Sequence, residues 1–142
     1  EAMEWSLHQA DIVKMSDEEM AFMWGLDAEE GARKLLEAYG VSLVYATLGP
    51  KGCHAVTKRA SVTVNSPSGI HVVDTTGAGD IFGGSAMSRF LRCGKAPEDL
   101  TESELREIVS FACTAASLST QKHGGITSVP ELAEVEARRQ EG

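Results

Sequence analysis

Asp74-Thr75-Thr76-Gly77-Ala78-Gly79-Asp80 follows a short apolar stretch, Ile70 to Val73, and opens onto an apolar-periodic segment that begins at Ile81. A strand, a glycine turn and a helix start in that order aim free backbone N–H groups outward. Such a helix end carries about half a positive charge and suits a phosphate. Asp80 sits in the same turn, where a simple anion nest has no use for a carboxylate. A base beside a phosphate cradle is what phosphoryl transfer requires. On spacing alone, a plain strand-to-helix turn with an acid in its first turn accounts for the run equally well. The run is neither a Walker A loop, since no lysine follows the glycines, nor the GxGxxG of a dinucleotide fold.

Upstream, Ala10 to Lys14 reads as a strand and Ser16-Asp17-Glu18-Glu19 as a capping box. The helix it opens runs to about Gly25, and Asp27 caps a second over Ala28 to Tyr39, stopped by Gly40. Val41 to Leu48 has the composition of a buried strand. Gly49-Pro50-Lys51-Gly52 turns the chain into Cys53 to Thr57, and Ser61 to Val64 alternates as a half-exposed strand. Ile70 to Val73 is expected as the last strand. Beyond Gly79 the pattern is helical, with Ile81, Phe82, Ala86 and Phe90 inward until Gly94. A longer helix is expected over Thr101 to Gln121, with Leu105, Ile108, Val109, Ala112, Ala115 and Ala116 inward. Gly124-Gly125 breaks it, and Pro130 is expected at the first position of a terminal helix that runs through Arg138. Strands mixed with helices in this order predict a layered α/β domain.

The chain has 142 residues, 42% hydrophobic and 24% charged, an ordinary globular composition with room for one core. A net charge of -8 and scattered basic residues argue against a nucleic-acid partner. No apolar run approaches the ~20 residues of a membrane span, and no signal peptide is visible. Cys53, Cys93 and Cys113 lack CxxC spacing, so a cytoplasmic location is expected, with neither disulfides nor zinc. His8, His54, His71 and His123 show no metal-ligand spacing and are read as surface or turn residues. Glu1 is not a natural start, so the chain is read as a piece of a longer protein. Residues 1–140 are taken as its folded part, and Glu141-Gly142 is set aside as a cloning scar.

Several segments together resemble the C-terminal half of ribokinase-like (PfkB) carbohydrate kinases, the bacterial fructokinase branch most of all. They are Val73 to Asp80 with Phe82 and Gly83-Gly84, Ala10 to Lys14 with Ser16 and Glu19, Thr47-Leu48-Gly49-Pro50-Lys51-Gly52, and Gly124 to Pro130. The resemblance implies the C-terminal part of a Rossmann-type three-layer α/β/α fold, without the N-terminal half and the lid. It makes Asp80 the base that accepts a proton from a sugar hydroxyl, and Gly77, Ala78 and Gly79 the anion hole for the γ-phosphoryl group of ATP. Thr47, Gly49 and Gly52 are implied to lie along the nucleotide, with Ser16 nearby and Cys113 close to the adenine. A small buried hydrophobe on an Ala-rich helix is an equal reading of Cys113, and no basic neighbour marks it as a reactive thiol.

Asp74, Thr76, Gly124 and Ser128 are implied to hold a monovalent cation such as K+; an Asx turn at Asp74 is the alternative. Glu19 would organise Mg2+ through water. Ser16 stands where the family has asparagine, which leaves a plain capping box as the competitor. The implied partners are ATP, a sugar and the absent N-terminal half, or a second copy through uncovered sheet edges. The expected activity is that of an ATP-dependent fructokinase-like sugar kinase, with the piece alone inactive. Another family kinase (ribose, 2-keto-3-deoxygluconate or nucleoside) or a non-catalytic nucleotide-binding domain are the alternatives.

Overall fold

A computed structural model describes residues 2–123 and 130–141, without the side chain of Glu141. It is a mixed α/β chain that divides into two compact units. One holds Glu1–Thr63 and Lys95–Leu105, the other Val64–Gly94 and Arg106–Gly142.

The first unit begins with α1 (Ala2–Gln9), on which the sequence reading was silent, and β1 (Ile12–Ser16). The strand lies two residues later than expected because its ladder is set by β2 (Leu43–Thr47), which pairs with it in parallel from Ile12↔Leu43 to Ser16↔Thr47. Ser16 is both the last strand residue and the cap of α2 (Asp17–Trp24). The capping box is present: the Glu19 amide donates to Ser16 Oγ (3.1 Å) and the Ser16 amide to Glu19 Oε2 (2.7 Å). Gly25 ends the helix at φ 66°, where a Cβ would be strained. A second box, Asp27 with Glu30, opens α3 (Ala28–Ala38).

Parallel pairing requires the crossover that α2 and α3 supply. α2 packs on β1, α3 on β2, and the two helices on each other. Met20, Ala32, Leu35, Val41, Val44 and Ala46, all fully buried, form the core between them.

After β2 a 3-10 turn over Gly49–Lys51 leads into β3 (Gly52–Val56), antiparallel to β2. Thr57 Oγ1 accepts from the amides of Arg59 and Ala60, closing the hairpin to β4 (Ser61–Asn65). The sheet order is β1-β2-β3-β4. His54, read as a surface or turn residue, lies half-buried on β3, its Nδ1 2.9 Å from Thr63 Oγ1.

The second unit carries α4 (Ala78–Cys93), most of α5 (Glu102–Ser119) and α6 (Leu132–Glu141). Phe82, Ala86 and Phe90 are buried along α4, while Ile81 is half-buried against a cluster of Phe111, Ala115 and Val135. Ala116, expected inward, is likewise only half-buried. Residues 70–73 form no strand, contrary to expectation. Val73 is 40% exposed, and its amide donates to the Thr120 carbonyl (2.7 Å) instead of to a ladder. α5 stops at Ser119 because the next amides, from Thr120 to Lys122, bond three residues back. Pro130 does not open the last helix. Glu131 caps it, its amide donating to Glu134 Oε2 and its carbonyl accepting from Val135, so the proline lies one residue outside.

Candidate functional site

Gly77 caps α4 in the left-handed conformation, φ 77° and ψ 0°, which only glycine adopts without cost. The Ala78 amide donates to the Thr75 carbonyl (3.2 Å), and the helical ladder starts with Ile81 N–H to Gly77 O (3.0 Å). The amides of Gly79 and Asp80 therefore precede the ladder, at the positive end of a 16-residue helix. Asp80 is the third helical residue and is exposed. An acceptor-binding end and an accessible carboxylate thus occur within one helical turn.

Asp74, just ahead, accepts at Oδ1 from the Thr76 amide (2.9 Å) and the Thr76 hydroxyl (2.6 Å). This is the Asx turn that competes with the cation reading, and it aligns a carboxylate with a hydroxyl immediately before the cap. His123 Nδ1 lies 4.0 Å from Asp74 Oδ2. Gly124 and Ser128, the other two implied cation ligands, lie outside the described residues.

In the first unit, Ser16 and Thr47 are register partners at the carboxyl ends of two parallel strands. That is the edge where open α/β sheets present ligand-binding loops. Gly49 (φ 58°) and Gly52 (φ 123°, ψ −135°) shape the turn that follows Thr47. Gly52 in particular holds a conformation closed to residues with a Cβ. Glu19 is engaged in the capping box, so the competing structural role of that carboxylate is realised.

Cys113 is buried in α5, and burial pushes its thiol up to about 12. It is an inert hydrophobe in the described chain, as its sequence context indicated. Among the described residues no three His, Cys, Asp or Glu side chains gather as a metal cluster. No helix there is long and apolar enough to cross a membrane.

Sequence reasoning missed Gln121 and Arg138. Gln121 Oε1 accepts from the His71 amide (3.4 Å), and Arg138 donates to the Ser68 carbonyl. No local pattern announces either contact, because their partners lie 50 and 70 residues away.

Solved structures place this α/β arrangement in the ribokinase-like class. A ribokinase from Thermotoga maritima is 32% identical with a TM-score of 0.78, over 96% of this chain and 44% of its own. A Vibrio cholerae fructokinase, solved in a fructose-, ADP- and calcium-bound form, is 30% identical with a TM-score of 0.81, over 94% and 42%. Fructokinase-2 of Solanum lycopersicum is 37% identical over 129 residues, 88% of this chain and 38% of its own. The chain belongs to the pfkB family of carbohydrate kinases, whose profile matches residues 1–132. It spans about two-fifths of the length of the curated relatives it matches.

Proposed function

We propose that this chain is the nucleotide-binding and catalytic part of an ATP-dependent, fructokinase-like sugar kinase. One observation carries the reading: an exposed carboxylate, Asp80, stands at the third position of α4, directly behind a left-handed glycine cap and amides outside the helical ladder. In the transfer, Asp80 accepts the proton of the sugar hydroxyl as its oxygen attacks the γ-phosphorus. The bond to the β,γ-bridging oxygen breaks, and ADP leaves with that electron pair. The turn of Gly77, Ala78 and Gly79 forms the anion hole, in which the Gly79 amide, ahead of the helical ladder, faces the charge that develops on the equatorial oxygens. The turn of Thr47, Gly49 and Gly52, with Ser16 beside it, lies along the nucleotide. Cys113 stands near the adenine as an apolar contact.

Mg2+ bound with ATP keeps most of its waters and needs few protein carboxylates, which suits a chain without a metal cluster among its described residues. Glu19 is the candidate to reach it through water. K+ fits the donor type of Asp74 and Thr76 with Gly124 and Ser128: carboxylate, hydroxyl and carbonyl oxygens are hard ligands. A cation held by those oxygens would offset negative charge next to the anion hole.

The sugar contacts and the lid belong to the remainder of the kinase, so the chain alone is inactive in this reading. Among the described residues β1 is an edge strand. Trp5 and Phe22, on the helices either side of it in sequence, are 68% and 92% exposed. Such apolar exposure supports cover by that remainder, or by a second copy. A cytoplasmic setting, where its three cysteines stay as thiols, completes the proposal.

Asp80→Asn in the full-length kinase tests the reading with ATP and a panel of sugars and nucleosides. The expected result is a fall in kcat of about 10²- to 10⁴-fold with ATP affinity retained. Near-normal turnover removes Asp80 as the base. No transfer to any acceptor by the unaltered protein leaves a non-catalytic nucleotide-binding domain.

A further inference from the structure

Residues 66–76 deliver the glycine turn to α4, yet they belong to no strand or helix. A phosphate cradle works only when its donors are held to within about 0.5 Å, so something other than a sheet ladder must place this segment. Its tethers come from the end of α5 and from α6. The Thr120 carbonyl, freed by the early stop of α5, accepts from both Val73 N–H (2.7 Å) and Asp74 N–H (2.9 Å). Gln121 Oε1 takes the His71 amide. Arg138 of α6 donates through Nη2 to the Ser68 carbonyl, beside Gly69 in the left-handed region at φ 71°.

The helix carrying Arg138 is itself firmly docked. Val135 is buried against Phe111 and Ala115, Glu136 pairs with Arg89 of α4, and Arg139 pairs with Glu107 of α5. The Arg89 guanidinium also lies 3.9 Å over the Phe111 ring. α6 extends from Leu132 to Glu141, beyond the part of the chain that the family profile matches.

We propose that Arg138 is a positioning residue for phosphoryl transfer. Anchored on a docked helix, its guanidinium fixes the Ser68 carbonyl, and through it the extended segment that presents Asp74 to Gly77 at the start of α4. Glu136 and Arg139 hold the helix; Arg138 holds the segment. The proposal rests on the reading of Asp74 to Asp80 as the transfer turn.

Amide hydrogen exchange separates the two roles. Arg138→Met is expected to speed exchange at His71 to Thr76 by about tenfold, the factor given by loss of one charge-assisted hydrogen bond. The interior amides of α4 and α5 keep their protection, and Arg138→Lys restores part of what the segment lost. Arg139→Met differs in its spread: it lowers the melting temperature and speeds exchange throughout α6 as well as at residues 71–76, because the anchor itself is loosened. In the full-length kinase, with ATP and fructose, Arg138→Met lowers kcat while KM for ATP stays within about twofold.

Unchanged exchange at 71–76 overturns the proposal, as does a rise spread through α5 and α6 like that of Arg139→Met. Should Arg138→Met fail to fold, Gly69→Ala probes the same tether from the loop side. Its Cβ would face Arg138 Nη2 at 3.5 Å with the backbone strained at positive φ, and the same local rise is expected; its absence counts against the proposal. If exchange responds as expected but the unaltered kinase transfers no phosphate, the transfer reading falls and the tethering of the turn stands.

Discussion

Gly31→Ala sets two opposed terms against each other at one atom. Gly31 lies in the first turn of α3, buried against Met20 of α2. A Cβ built there meets Met20 Sδ at 2.5 Å, Cγ at 2.9 Å and Cβ at 3.1 Å. Met20 has no exposed surface, so its side chain can yield only by pushing on the core that includes Leu35 and Val44. Alanine in a helix is favoured over glycine by about 0.8–1 kcal/mol, whereas overpacking a filled core costs about 1–3 kcal/mol. The net is a loss of about 1 kcal/mol.

Gly84, within α4, supplies the control: it is helical, and nothing lies within 4 Å of its built Cβ. Gly84→Ala keeps the propensity gain alone and stabilises by about 1 kcal/mol. The gap between the two variants isolates the overpacking term, about 1–3 kcal/mol. Urea unfolding reads both, by fluorescence of Trp24, which packs on the Met20 cluster, and by far-ultraviolet circular dichroism for α4. In the double variant Gly31→Ala/Met20→Ala, the new methyl fills part of the space vacated by Met20. The double therefore costs less than the sum of the singles. Gly31→Ala stabilising as much as Gly84→Ala would show that Met20 moves freely and would refute the reasoning.

Ser16→Ala removes one half of the α2 capping box and is expected to cost about 1 kcal/mol in urea unfolding; no change would mean that the box holds nothing. Folding raises the Cys113 thiol, so its neutral form stabilises the fold fully below the ordinary thiol range and loses that contribution as pH climbs toward about 12. Stability between about pH 9 and 11 should therefore fall more steeply in the unaltered chain than in Cys113→Ala. A thiol reagent at neutral pH should leave Cys113 unlabelled until the chain unfolds. Glu107 has the opposite sign: the hydrogen bond from Arg139 holds its carboxyl below the usual carboxylate range. Its stabilisation is present above the ordinary value and lost as pH falls through the lowered one, so Glu107→Gln should flatten the acid limb below about pH 4.5. An acid limb as steep as that of the unaltered chain would sever this link.

Local chemistry was legible wherever one short segment carried both partners of an interaction. The capping box of Ser16 and Glu19, the stop at Gly25 and the cap at Asp27 all lie within a few residues of their partners, and all formed. The glycine turn at Gly77 to Asp80 was visible for the same reason, since its left-handed cap is a property of one residue. The failures were non-local. Ile70 to Val73 has strand composition, but its amides reach the end of a helix more than forty residues on, and no pattern within the segment foretells that acceptor. Pro130 satisfied a helix-start rule, while Glu131, bonding forward to Glu134, captured the cap.

From the residues alone came the α/β class, the order of most elements, the resemblance to ribokinase-like kinases and the seven residues proposed to carry transfer. Spacing and backbone preference act over a few bonds, so one-dimensional information is sufficient for them. Tertiary structure alone decided how that run is held: Thr120, Gln121 and Arg138 grip its approach from 46 to 70 residues away. Hydrogen bonds of this kind depend on where a helix happens to end and which side chain then lies within 3.5 Å, and those distances exist only once the chain is packed.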